Sequence, residues 1–114
     1  MAKIGVIIEV ENNEVKSINN GVITAASAEG ANEVFAIFAE GDVNLNKDKV
    51  GIFGATVAVH LTAGNADLSA NPDIQARALG ELAKDQNFDG IIAVSSAKGR
   101  DVLARLAAFL NLPL

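Results

Sequence analysis

The 114-residue chain has no cysteine, no tryptophan, no tyrosine and a single histidine. Without cysteine there can be no disulfide, thiolate metal site or cysteine nucleophile, and the composition suits a reducing, cytoplasmic setting. His60 has no second His or Cys near it in sequence, so a histidine-built metal site is not expected. Basic residues are also scarce. Nine Lys and Arg stand against 14 Asp and Glu, a formal net charge of -5. No basic surplus exists to displace counterions, which argues against nucleic-acid binding. Long hydrophobic runs are missing as well. The apolar stretch Lys3 to Val10 falls far short of the ~20 residues that cross a bilayer, and no small-residue cleavage site follows it. A soluble chain is expected. There is no internal repeat, low-complexity tract or linker.

What remains is aliphatic. Half of the residues are hydrophobic while aromatics reach only 4%, so Ala, Val, Ile and Leu must build the interior. The length suits one domain, residues 1–114, with one core.

Lys3 to Val10 is apolar and β-branched with Asn12-Asn13 behind it, and predicts a buried strand followed by a turn. Ser17 is placed to cap a helix whose shared face would be Ile18, Val22, Ala25 and Ala26, with Gly30 as its stop. Glu33 to Ala39 predicts a second strand, ended by Glu40-Gly41-Asp42. Near-continuous apolar strands favour a parallel sheet covered on both faces. Asp42 to Ala55 fits neither period well: a short helix near Leu45 to Phe53 and an early start of the next strand both remain open. Thr56 to Thr62 predicts a third strand, and Ala63 to Asn71 a loop. Asn71-Pro72-Asp73 then opens a helix with a cap, a proline at the first position and an acid in the first turn. Its core face would be Ile74, Ala78, Leu79, Leu82 and Ala83. Gly90 to Ser95 predicts the fourth strand, and the last helix would bury Val102, Leu103, Leu106, Ala107 and Leu110.

The richest segment for chemistry is the turn between these last two elements. Small residues lead into Gly99-Arg100-Asp101, and loop amides beside a helix N-terminus can hold an anion. On that reading Ser95, Ser96, Gly99 and Arg100 cradle a phosphate or a partner's carboxylate. On the other, the loop merely joins strand to helix, with Gly99 supplying backbone freedom and Asp101 the cap. The Walker and dinucleotide fingerprints are missing. Arg100 is not needed for packing; its expected partners are Asp101, Glu9 or another chain. Glu9 follows the first strand, at the edge where open parallel sheets gather ligands, and could orient a ribose or a partner's Arg; a solvated strand end is the alternative. Ser95-Ser96 lacks the Gly-flanked elbow of a serine hydrolase. No catalytic constellation is visible, and Asp67, Asp73, Glu81, Asp85 and Asp89 are spread as on a solvated surface.

In order along the chain, Ile7-Ile8-Glu9-Val10-Glu11-Asn12, then Ile23-Thr24-Ala25-Ala26, then Phe38-Ala39-Glu40-Gly41 precede Ser95-Ser96-Ala97-Lys98-Gly99-Arg100-Asp101-Val102-Leu103-Ala104-Arg105-Leu106-Ala107-Ala108. This series resembles the N-terminal domain of the electron transfer flavoprotein alpha subunit, weakly in the middle and well at the end. The resemblance implies a three-layer α/β/α fold with a mostly parallel sheet, Rossmann-like and of the adenine nucleotide alpha hydrolase-like kind. It implies a non-catalytic part of a flavin electron carrier, packed on a beta-type subunit. Ala104 departs from the family's usual Pro, which relaxes the expected helix start. A larger departure is that nothing here resembles the C-terminal domain carrying most of the family's FAD contacts. The chain is then a stand-alone relative or a piece of something longer. Two other readings stay open: a stand-alone module binding an adenine nucleotide such as AMP, and an interaction domain, homo-oligomeric through its apolar tail Leu112 to Leu114.

Overall fold

Strands with apolar residues on both sides have to be covered on both sides, and among the described residues four α-helices do this. In the computed structural model, which describes residues 2–94 and 96–110, β1 (Lys3–Ile8) leads into a small hairpin of β2 (Val10–Glu11) and β3 (Glu14–Val15). There follow α1 (Asn19–Ser27), β4 (Glu33–Phe38), α2 (Val43–Ile52), β5 (Val57–His60), α3 (Pro72–Gln86), β6 (Gly90–Ala93) and α4 (Ala97–Leu110). The main sheet is four-stranded and parallel, in the order β5-β4-β1-β6. In its register Ile7 lies beside Ile37 of β4 and Ala93 of β6.

Alternation along β1 and β4 splits the interior in two. Val6, Ile8, Val34, Ala36 and Phe38 face α1 and α2 and pack on Ile23, Ala26 and Val50. Ile7, Phe35 and Ile37 point the other way, onto Ala76 and Leu79 of α3 and Val102 and Leu106 of α4. Each fully buried Ile, Leu or Phe in these layers contributes about 1.5–3 kcal/mol. The three-layer, Rossmann-like arrangement is the one expected.

Several boundaries differ, each for a local reason. β1 ends at Ile8 because Val10 and Glu11 turn away to pair with Val15 and Glu14. Asn12 and Asn13 close that hairpin at φ 52° and 64°, the pair of positive values a two-residue type I′ turn requires. The Ser17 side chain does not cap α1, whose buried face is Asn19, Ile23 and Ala26. Ile18 is 47% exposed and Ala25 is exposed too, because the helix is rotated to bring Asn19 inward. α1 stops at Ala28, in the left-handed region, and Gly30 closes a short 3-10 turn beyond it.

Of the two readings left open for the middle, the helix is right. Asp42 accepts a hydrogen bond from the Leu45 amide at 3.2 Å and so starts α2 ahead of the predicted Leu45. α3 begins at Pro72 as expected, but the Asn71 side chain donates to the Asp67 carbonyl instead of capping the helix. Its inward residues include Gln75, Ala76, Leu79 and Gly80, while Ile74 turns toward solvent. β6 ends at Ala93. α4 starts at Ala97, so Gly99, Arg100 and Asp101 lie inside the helix, and Ala104 is in its middle and not at its start. Val102 and Leu106 are buried as anticipated, with Leu103 and Leu110 packed beside them. Ser95 and the tail Leu112 to Leu114 lie outside the described residues.

Candidate functional site

From β1 the chain steps outward to β4 and then β5, and afterwards crosses to β6 on the opposite side of β1. The carboxyl ends of β1 and β6 are therefore the point where the connections diverge, where an open α/β sheet leaves a crevice. Glu9 follows β1 and Ser96 follows β6. The fold brings them into contact across a sequence separation of 87 residues: the Ser96 hydroxyl donates to the Glu9 carboxylate.

Each of these side chains is held in place. Asn19, fully buried, accepts from the Glu9 amide at 2.9 Å and donates to the Glu9 carbonyl at 2.8 Å and the Lys16 carbonyl at 2.7 Å. Both main-chain polar groups of Glu9 are thereby fixed. Lys16 Nζ stands 3.7 Å from the other Glu9 carboxylate oxygen. Ser96 Oγ accepts from the Gly99 amide at 3.0 Å, and the Ser96 carbonyl accepts from the Arg100 amide at 2.9 Å. Ser96 is thus the cap of α4, and Asp101 is not. Asp101 instead pairs with Arg105 one turn on, at 3.1 Å. The Glu9 carboxylate lies at the N-terminus of α4, where the free amides and the helix dipole favour negative charge.

Gly99 has a spatial reason to be glycine. A Cβ there would collide with the Val94 carbonyl oxygen, so the first turn of α4 approaches the end of β6 as only glycine allows. Its φ is not positive, so backbone freedom is not what it supplies. Arg100 is exposed, and its Nε reaches the Ser96 carbonyl at 3.4 Å. Among the described residues it forms no ion pair with Asp101 or Glu9. Four of the five sequence-predicted site residues (Glu9, Ser96, Gly99 and Arg100) therefore gather at one strand-to-helix corner, while Ser95 lies outside the described residues.

A crevice of about 250 Å³ opens at this corner. Ile7, Ala93 and Val102 give it apolar walls; Glu9, Glu11, Glu40, Lys16 and Lys98 supply its charge. Lys98 pairs with Glu40 at 3.2 Å. Gln75 also lines it, only 5% exposed, and its buried Oε1 has no hydrogen-bond partner. Beside it Asp67 accepts from the amide and hydroxyl of Ser69, at 3.1 and 2.8 Å. The Ser69 hydroxyl is the main reason the Asp67 carboxyl is held below the usual carboxylate range.

Sequence reasoning missed Asn19, Lys16 and Gln75. The available signal was a polar residue on an apolar helical stripe: Asn19 with Ile23 and Ala26, and Gln75 with Leu79 and Leu82. His60 ends β5 and is exposed beside Asn13 and Asp42. Among the described residues no group of three or more His, Cys, Asp or Glu is placed to hold a metal ion, and no helix is long and apolar enough to cross a membrane.

No curated protein matches the chain in a sequence search. A family model does: that of the electron transfer flavoprotein domain, over residues 4–114. With nearly every residue covered, and a parallel sheet that ends in the Glu9–Ser96 corner, the chain belongs to the electron transfer flavoprotein domain family.

Proposed function

We propose that this chain is an alpha-type domain of an electron transfer flavoprotein, a cytoplasmic, non-enzymatic part of a flavin carrier that packs on a beta-type subunit. The observation that carries the reading is the family match over residues 4–114. Within it the segment Gly99-Arg100-Asp101 through Ala107-Ala108 resembles the N-terminal domain of the alpha subunit. Arg100 supports a protein contact: it is exposed at the start of α4, with guanidinium donors to spare for a partner's carboxylate. The Ser96 hydroxyl donates to the Glu9 carboxylate and accepts from the Gly99 amide, the bonding of a helix cap.

FAD does not fit the crevice on this chain. A volume of about 250 Å³ lies below the ~300–1,000 Å³ of sites that enclose drug-sized ligands. Its three carboxylates against two ammonium groups, a net of -1, would also face a pyrophosphate with surplus acid. This supports a flavin held mainly by other elements, with the redox chemistry residing in the cofactor and this domain contributing position and field. A second reading, a module binding an adenine nucleotide such as AMP, is supported by the crevice's place at the topological switch point, while the same surplus acid counts against its phosphate.

The first reading is tested by sedimentation of the chain with a beta-type subunit from the same cells. Co-sedimentation at one-to-one stoichiometry, weakened at least about tenfold by Arg100→Glu as for a lost charged contact, is the expected result. Separate boundaries, with FAD present or absent, would refute it.

A further inference from the structure

We propose that the chain pairs with a second copy of itself through the outer face of α2, the two helices lying antiparallel about a twofold axis. The inference is independent of the flavin-carrier reading. Helices α1 and α2 cover one face of the sheet, whereas Arg100 belongs to α4 on the other.

The inward residues of α2 are Asn46 and Val50, one turn apart. Away from them, Leu45, Asp48, Lys49 and Ile52 follow the i, i+3, i+4, i+7 spacing that forms one stripe along a helix. All four are exposed, and Leu45 at 67% and Ile52 at 79% exceed every other large hydrophobic residue described. One apolar side chain at a surface is ordinary. Two on a single stripe, with an acid and a base between them, have no use in the lone chain. Asp48 and Lys49 form no ion pair among the described residues.

The order of the stripe identifies the occupant. Read backwards, apolar, acidic, basic, apolar becomes apolar, basic, acidic, apolar. An antiparallel copy centred between residues 48 and 49 therefore sets Leu45 against Ile52 of the second copy and Asp48 against Lys49 of the second copy, and the twofold repeats both contacts. An isologous interface requires one patch to complement itself, and this stripe does so in polarity and in charge. A parallel copy in register would set Asp48 on Asp48 and is disfavoured. The neighbouring surface offers no obstacle. The Thr24 hydroxyl of α1 donates to the Phe53 carbonyl just beyond α2, and α1 carries no charge from Asn19 to Ser27. At its exposed Gly21 an added Cβ would meet nothing within 4 Å. A contact built chiefly on one helix of 10 residues is at the small end of specific interfaces, so the dimer is weak, with a dissociation constant above about 1 μM.

The experiment is sedimentation equilibrium of the whole chain, followed by refractive index because Trp and Tyr are absent. Between about 10 μM and about 1 mM the mass is expected to rise from one chain toward two. Asp48→Lys alone, or Lys49→Asp alone, sets like charges together at both twofold-related positions and should weaken the dimer at least about tenfold. Both changes in one chain should restore it. The two single variants mixed should pair with each other more tightly than either pairs with itself, since every charge across the axis then meets its opposite. Ile52→Gln should also weaken pairing at least about tenfold. At this exposed site it should leave the melting temperature of the dilute chain within about 2 °C of the parent. A mass that stays at one chain up to about 1 mM, a dimer indifferent to Asp48→Lys, or mixed variants no heavier than each alone would each overturn the proposal. None of these results touches the beta-subunit contact, which is read with that subunit and Arg100→Glu.

Discussion

Replacing Asn19 tests how the site is held together. Its side chain makes three hydrogen bonds at zero exposure, to the amide and carbonyl of Glu9 and the carbonyl of Lys16. In Asn19→Ala the two carbonyls keep other donors, since Lys16 N reaches the Glu9 carbonyl and Asn19 N the Lys16 carbonyl, both at 3.1 Å. The Glu9 amide loses the only acceptor it has among the described residues. One orphaned donor at about 1–3 kcal/mol and two lost bonds at about 0.5–1.5 kcal/mol each give a loss of about 4 kcal/mol. For a chain of this length that lowers the melting temperature by about 16 °C. Far-ultraviolet circular dichroism is the assay, because without Trp or Tyr the near-ultraviolet signal is weak. Asn19→Asp sharpens the test. It keeps an acceptor for the Glu9 amide but points a carboxylate at two carbonyls. At neutral pH it should cost at least as much as alanine. Burial and the facing carbonyls raise the folded-state pKa of the introduced carboxyl, so the extra loss is present above the unfolded pKa and is relieved as pH falls. If Asn19→Ala melts within about 2 °C of the parent, a change of the size expected at an uninvolved surface site, the account of how Glu9 is fixed is wrong.

Three further outcomes follow from the same geometry. Gly99→Ala places a methyl against the Val94 carbonyl and should destabilise by about 1–3 kcal/mol, as overpacking does; denaturant midpoints equal to the parent would contradict the close approach. Asp67 has a depressed carboxyl pKa, chiefly through Ser69, so its contribution is present above the unfolded carboxylate pKa and is lost as pH falls through the folded value. Melting curves of Asp67→Asn against the parent should therefore converge in acid, and a difference that grows on acidification would reverse the assignment. Arg100→Ala, at an exposed position whose side chain bonds only the Ser96 carbonyl among the described residues, should change stability by no more than about 0.5 kcal/mol, which separates any loss of partner binding from misfolding.

How much of this was legible in the sequence depends on how local each cause is. β1 and β4 are readable because Ile7, Ile8, Val34 and Phe35 are apolar on both sides of the strand, and α3 because Pro72 and Asp73 mark its start. The phase of α1 is not readable from apolar spacing. Asn19 displaces Ile18 from the interior because three backbone groups need its amide, and two of them belong to Glu9, ten residues earlier. The start of α4 is hidden for a similar reason. Ser96, Ala97 and Gly99 look like loop residues, but Ser96 caps the helix and Gly99 makes room for it. The strands of the Asn12-Asn13 hairpin, two residues each, are too short to show a period. Glu9, Ser96, Gly99 and Arg100 were identified one by one; that Glu9 meets Ser96 follows only from the strand order, which places β6 beside β1.

The central claim is that this domain is one part of a flavin carrier, and the most direct measurement is made on the protein isolated from its own cells. Its native mass and visible absorption spectrum should be recorded together, since a chain without Trp or Tyr leaves bound flavin easy to see. The account predicts a complex heavier than the chain, containing a beta-type subunit and absorbing as flavin. A colourless species with the mass of the chain alone would contradict it.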